Sequence, residues 1–117
     1  MTPKRYNFKP HVAGDTFDGI QITMTLTSSG VTAPIDLTSM AIKIVFKKQD
    51  LTPVITTLEI GSGITIDDAV NGVFSVDPFT VWATPYLYEY DMQFTYGGGD
   101  VKTYMVGFFD VKPQITA

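Results

Sequence analysis

The sequence predicts an all-β domain, built either as an antiparallel sandwich or as a small barrel. Val, Ile and Thr, which suit the pleated surface of a sheet, make up 37 of the 117 residues. Glu occurs twice and Leu five times, and no twelve-residue window combines helical spacing with helix caps. About seven short runs of alternating polarity are separated by turn signals, a spacing typical of sandwiches and barrels.

Three strands are predicted in the first half of the chain. Residues 20–26 alternate strictly, with their apolar side chains on one face, and Ser28-Ser29-Gly30 ends the run. Residues 40–46 place four apolar side chains on one face and Lys43 on the other, before a turn over residues 47–53. Residues 54–60 are less cleanly patterned, which indicates a strand near the edge of a sheet.

Four more strands are predicted in the second half. Residues 64–66 follow the Gly61-Ser62-Gly63 break, and the Asn71-Gly72 turn leads into residues 73–76. Residues 86–96 alternate most strongly, and residues 97–100 predict a tight hairpin into the last strand, residues 101–111. One face of that last strand is expected to carry Val101, Thr103, Met105, Phe109 and Val111. Gly107 lies on the same face and indicates a bulge or a close neighbour.

Charge divides the chain into an N-terminal arm, residues 1–12, and one domain, residues 13–117. Lys4, Arg5 and Lys9 give the arm three positive charges and no acid, whereas the domain carries five basic and twelve acidic residues. The arm is expected either to be solvated or to dock on an acidic neighbour such as the next copy of the chain. An acidic domain with so short a basic segment argues against nucleic acid as a partner.

The composition also excludes several classes of protein. The chain has no cysteine, so disulfides, thiolate metal sites and Cys nucleophiles are ruled out. No apolar run reaches the roughly 18 residues of a membrane span, and no secretory signal is predicted. Charged residues are only 17% of the chain, below the ~25% of an average soluble domain, which favours a protein with many neighbours.

Residues that could support chemistry have a simpler structural interpretation in each case. His11 is the only histidine and lies in the arm, where catalytic geometry is hard to maintain, so we expect an ordinary surface or interface residue. The acids at 67 and 68 are interpreted as turn residues that bond their own backbone, with a calcium site as the alternative. Trp82 is expected to plug the core or an edge, with sugar stacking as the alternative. No enzyme activity and no cofactor are predicted.

Tyrosines form a stripe along the penultimate strand, at Tyr86, Tyr88, Tyr90 and Tyr96. Each hydroxyl needs a hydrogen-bond partner when it is buried. Tyr88, near the start of the strand, is the candidate for a tyrosine-corner role. The remaining tyrosines are expected either to belong to a core with wet rims or to form an aromatic contact patch.

Five short motifs follow one another along the chain: Gly14-Asp15-Thr16, Pro34-Ile35-Asp36-Leu37-Thr38, Asn71-Gly72-Val73-Phe74, the Tyr-rich stretch from Tyr86 to Met92, and Val106-Gly107-Phe108-Phe109-Asp110-Val111. Their order resembles the immunoglobulin-like N-terminal domain of baseplate upper proteins of tailed bacteriophages. The match covers about 100 of the 117 residues. The sequence departs from the family at Ala83-Thr84-Pro85, where a Gly is usual. It also ends before the helical stalk into which the proteins of that family continue.

The resemblance implies an immunoglobulin-like antiparallel β-sandwich of about seven strands in a virion component. Its expected partners are copies of itself and other phage structural proteins of the tail, baseplate, neck or capsid, with no membrane contact. The alternative is a carbohydrate-binding module or host-surface adhesion domain. The candidate interface residues are Lys4, Arg5, Tyr6, Phe8, Lys9, Trp82, Tyr86 and Tyr90.

Overall fold

The computed structural model describes residues 4–50, 54–82 and 84–114, which form thirteen β-strands and no helix. The prediction of an all-β protein is therefore confirmed for these residues, none of which lies in a helix able to cross a membrane. The strands are β1 (Lys4–Arg5), β2 (His11–Val12), β3 (Thr16–Phe17), β4 (Ile20–Thr23), β5 (Thr25–Ser28), β6 (Val31–Pro34), β7 (Ala41–Lys48), β8 (Val54–Ile60), β9 (Gly63–Asp68), β10 (Val73–Val76), β11 (Phe79–Thr80), β12 (Tyr86–Thr95) and β13 (Val101–Lys112).

Nine strands belong to one mixed sheet, ordered β1-β13-β12-β7-β8-β9-β10-β4, with β2 also paired to β13. The pairs β1–β13, β2–β13 and β8–β9 are parallel, so the expectation of a wholly antiparallel fold is wrong. Phe74 of β10 meets Phe94 of β12 with ring centroids 5.9 Å apart, although three strands lie between them in the sheet. The sheet therefore curls over and encloses its own core.

The two most strongly alternating runs form the centre of the sheet. β7 buries Ile42, Ile44 and Phe46 and exposes Lys43, as the sequence predicts. β12 pairs with β7 over eight residues and with β13 over ten, and its alternate side chains from Tyr88 to Phe94 are buried. Alternation defined these strands because one face meets the core and the other meets water.

Two side-chain placements differ from the prediction. Leu26 is 40% exposed, because the predicted strand over residues 20–26 divides at Met24 and its second half leaves the main sheet. In β13 the pairing with β12 shifts by one residue, so that Met92 faces Met105 but Gln93 faces Thr103. Because this bulge inserts Tyr104, Tyr104 is buried, whereas Val101 on the predicted core face is 55% exposed.

Two small sheets complete the fold. β3 pairs with β11 and places Phe17 against Phe79 in the core, with ring centroids 4.9 Å apart. β5 and β6 form a hairpin that pairs with no other described strand. The molecule is elongated, with principal extents of 51 × 27 × 26 Å.

Candidate docking surface

The N-terminal arm lies along the last strand of its own chain. β1 and β2 pair in parallel with β13, and between them Tyr6 N donates to Val106 O (2.9 Å) and Phe8 N to Phe108 O (3.0 Å). Gly107 makes this approach possible, because a Cβ built there would lie 1.8 Å from the carbonyl oxygen of Tyr6. Of the two interpretations of Gly107, a close neighbour is the right one, and the bulge lies at Tyr104.

Two of the candidate interface residues are core residues. Phe8 is buried, and its ring centroid lies 5.1 Å from that of Tyr90 and 5.4 Å from that of Phe109. Tyr90 is also buried, and its hydroxyl donates to the carbonyl of Tyr6 at 2.6 Å. Burial raises the pKa of Tyr90 above its usual range. Neither ring is open to another molecule, so both are removed from the candidate surface.

The outward side of the arm carries the remaining candidates. Arg5, Tyr6 and Lys9 are exposed, and the Arg5 guanidinium lies 5.5 Å from the ring centroid of Phe108 on the outer face of β13. The backbone of Lys4 pairs with Met105. The arm therefore presents positive charge to solvent while its apolar side holds it to the sheet.

His11 packs inside this arrangement as an ordinary half-buried residue. Its ring stacks on Phe109 with a centroid distance of 4.9 Å and an interplanar angle of 12°, and its Nδ1 lies 2.7 Å from the carbonyl oxygen of Lys9. No group of three His, Asp or Glu side chains in the described parts of the chain is placed to hold a metal ion.

Trp82 is a half-buried plug at one end of the core. Its ring packs on Tyr88 (4.8 Å), Phe46 (5.1 Å) and Phe109 (5.3 Å), and its Nε1 donates to Thr56 Oγ1 at 2.8 Å. The predicted plug is confirmed, since the half-buried indole packs on core rings and its N–H is bonded inside the chain. These contacts favour the plug over a sugar-stacking platform, which needs an exposed ring face.

The tyrosines of β12 divide between the core and the surface. Tyr88 is buried and its hydroxyl donates to the carbonyl of Thr84 at 2.8 Å, which is the predicted tyrosine-corner contact. Desolvation raises the pKa of Tyr88. Tyr96 and Tyr104 hydrogen-bond through their hydroxyls. Tyr86 is 39% exposed beneath the Lys48 ammonium, 5.1 Å from its ring centroid, and so remains a surface candidate.

The acidic turn at residues 67–72 bonds to itself and its neighbours. Asp68 accepts from the backbone N (3.4 Å) and side-chain Nδ2 (2.8 Å) of Asn71. Asp67 accepts from Ser75 Oγ and from Gln21 Nε2 (3.3 Å). Both acids lie at the end of β9, and Asp68 bonds the following turn, which fits the predicted turn role. Asp67 instead bonds side chains of β4 and β10, so the expectation that it bonds its own backbone is wrong.

The outer face of the central strands is charged. Lys47 and Glu89 form an ion pair at 2.7 Å between β7 and β12. Asp91 lies beside them, and its Oδ1 is buried without a hydrogen-bond partner in the described part of the chain. Burial raises the pKa of the Asp91 carboxyl, and the charge of Lys47 opposes this shift. The face thus holds one carboxylate in an unfavourable position.

The feature that the sequence analysis missed is the β5–β6 hairpin. It treated residues 28–30 as the end of a strand, and it assigned no strand to residues 31–34. The signal was present, because Ser29-Gly30 is a two-residue loop between short runs, and both residues have positive φ, 52° and 80°. All eight strand residues of the hairpin are exposed.

Comparison of the chain with protein-family models, curated proteins and solved structures finds no match.

Proposed function

We propose that this chain is a structural protein of a tailed-phage particle that acts by docking onto other proteins, with an immunoglobulin-like β-sandwich as its scaffold. The observation that carries the proposal is the ordered set of motifs resembling the N-terminal domain of baseplate upper proteins. Function is taken from that resemblance, and the surface features below support it.

The motifs occupy positions that matter to the fold. In the second motif Ile35 and Leu37 are buried, and Leu37 N donates to Ala69 O at 2.8 Å. In the third, Gly72 leaves no room for a side chain beside Met24 and Ile35. The last contains Gly107, which admits the arm. The resemblance therefore involves residues with defined structural roles, as expected of a shared scaffold.

The sheet order supports the immunoglobulin-like scaffold. Within the described residues, β13, β12, β7 and β8 form one half and β9, β10 and β4 the other, and the two halves pair only through two residues each of β8 and β9. The contact of Phe74 with Phe94 packs one half on the other. The tyrosine-corner contact of Tyr88 is a further feature of such sandwiches.

The surface supports docking over chemistry. His11, the one histidine, is stacked on Phe109, and Trp82 is packed in the core. Arg5, Tyr6 and Lys9 are exposed along one edge of an otherwise acidic molecule. Complementary charge of this kind orients partners and speeds their association.

The proposal is tested by quantitative mass spectrometry of particles from a culture of the strain that carries the gene, separated on a density gradient. We expect the chain to follow the particle peak at a fixed ratio to the main capsid protein, and this ratio reports the symmetry of its position. A chain that stays in the soluble fractions refutes the proposal. Glycan-dependent binding on an array of oligosaccharides would instead establish the carbohydrate-binding alternative.

A further inference from the structure

The β5–β6 hairpin is uncharged, and all eight of its strand residues are exposed. No charged side chain occurs between Gly19 and Ile35, and Leu26 and Val31 are the most apolar of its exposed residues. Proteins usually protect an exposed strand edge with Lys, Pro or a bulge. Here only Pro34, on β6, has that effect, so the edge of β5 is unprotected.

The register shows which backbone groups this edge presents. Ile35 N donates to Met24 O at 3.0 Å, so the carbonyl group of Met24 points toward the segment that continues β6. Along an antiparallel ladder, successive residues direct their backbone groups alternately toward and away from the partner strand, and Thr25 and Thr27 lie one and three residues after Met24. The N–H and C=O groups of Thr25 and Thr27 therefore point away from β6.

The hairpin is also held firmly at its base. Met24 N donates to Gly72 O at 2.8 Å, and a Cβ at Gly72 would lie 2.5 Å from Met24 O. An isolated two-stranded hairpin is at best marginally stable in water, and gains stability from a third strand. The exposed edge of this hairpin can therefore pair with a third strand, which would stabilise it.

A second open edge lies on β8. On the side away from β7, β9 covers only Glu59 and Ile60. Glu59 directs both its N–H and its C=O to that side, where they bond Ser62 at 3.0 and 2.9 Å. By alternation Thr57 presents its N–H and C=O to the same side, and in the described residues no strand pairs with it there.

We propose that β5 of one copy of this chain adds to the open edge of β8 in the next copy, as an intermolecular strand pair. β5 has four residues and the open segment Val54–Leu58 has five, so the two are close in length, and neither segment carries a charge. Copies with a net charge of −4 repel one another, so neutral edges are where they can meet without opposing like charges.

The contact is heterologous, because it joins two different surfaces. The open part of β8 begins at Val54, which pairs with Lys47 near the C-terminal end of β7. The β5–β6 hairpin precedes the N-terminal end of β7, so the two edges lie in different parts of the molecule. Such contacts form chains or closed rings. The inference deepens the proposed function by naming how copies meet, and it rests on that assembly role. A strand pair of this size buries less than the ~1,200 Å² of a stable interface, so association is expected to be weak.

The test is sedimentation velocity from about 10 µM to about 1 mM, a range that detects millimolar dissociation constants. Thr27→Pro removes one outward N–H of the hairpin, and Thr57→Pro removes one from β8. Thr27→Ala and Thr57→Ala are matched controls that keep the N–H. Thr27→Lys and Thr57→Lys, which place a charge on each edge, replace either proline variant whose circular dichroism shows loss of fold.

We expect the wild-type chain and both alanine variants to sediment faster as concentration rises, and each blocked variant to remain monomeric. An equimolar mixture of the two blocked variants retains one intact edge of each kind, so it should form dimers and nothing larger. A monomeric wild-type chain at 1 mM overturns the proposal. Wild-type-like association of the Thr57 variant indicates hairpin-to-hairpin pairing and also overturns it. Neither result bears on whether the chain is in particles, which mass spectrometry decides separately.

Discussion

Replacing Gly107 with Ala should detach the N-terminal arm while leaving the rest of the sheet folded. The new Cβ would lie 1.8 Å from Tyr6 O, a backbone atom that cannot move without breaking the flanking hydrogen bonds to Val106 and Phe108. Phe8 would then leave the core. Because the lost hydrogen bonds are replaced by bonds to water, the burial of Phe8 sets the size of the effect. Burying a Phe side chain contributes about 1.5–3 kcal/mol to stability. We therefore expect the free energy of unfolding, measured in urea, to be about 2 kcal/mol lower in the variant.

Two assays follow this change. Urea unfolding gives the free energy, and limited trypsin digestion reports the arm, since the Arg5–Tyr6 bond becomes cleavable once the segment leaves β13. Gly98→Ala is the matched control, because no heavy atom lies within 4 Å of a Cβ built there and its φ is not positive. If Gly107→Ala matches the wild type in both stability and digestion, the pairing of the arm with β13 is refuted.

Three further predictions concern the core and the outer face. Tyr88→Phe should lower the unfolding free energy by about 1 kcal/mol in urea, through loss of the bond to Thr84 O, and unchanged stability would exclude the tyrosine-corner role. Phe109→Ala, at a fully buried ring, should cost about 3–5 kcal/mol by the same measurement, against an expected negligible effect of Val70→Ala at an exposed turn. The pKa of Asp91 is raised in the folded state, so the unfolded chain loses this proton first and stability should fall as pH rises from the usual Asp range through the folded pKa. Asp91→Asn should flatten that decline and raise the melting temperature at pH 7; a variant with the wild-type pH profile would contradict it.

Docking, as proposed, depends on surfaces that the core does not use. The arm pairs its backbone with β13 and exposes Arg5 and Lys9, while no described strand pairs with the outer edge of β5 or with the Thr57 edge of β8. These two kinds of surface differ in their response to salt. Contacts made by the arm weaken as ionic strength rises, whereas a strand pair between neutral edges does not. Salt dependence of assembly therefore distinguishes which surface is engaged.

The sequence predicted the centre of the sheet well, because β7 and β12 contact the core along their whole length. In these strands the apolar residues of the alternating pattern are the ones that face the core, as the buried side chains of Ile42, Ile44 and Phe94 show. Val73–Val76 was predicted with its observed bounds for a related reason, since Asn71-Gly72 forms the turn before it. Local patterning and turn chemistry were sufficient wherever a strand's environment was uniform.

Other residues required the tertiary structure. The one-residue bulge at Tyr104 changes the facing of β13 before Met105, while Phe109 and Val111 keep the predicted core face, and no local signal marks the bulge. Phe8 and Tyr90 looked like contact residues, but the core reaches the arm through a pairing between residues about 100 positions apart. For the candidate surface, sequence alone identified the exposed arm charges and indicated an edge at residues 54–60, but it missed the β5–β6 hairpin.

Taken by itself, the sequence determined that this is a β protein, where its most strongly alternating strands and several of its turns lie, and that it carries an acidic body with a basic arm. These properties follow from the period of the side chains and from the turn residues, which act over a few positions. Only the tertiary structure decided that the sheet curls, that the arm pairs with β13 through Gly107, and that β5 and β8 keep free edges. Those outcomes depend on which strands meet, and backbone pairing between distant segments leaves little trace in the side chains of either one.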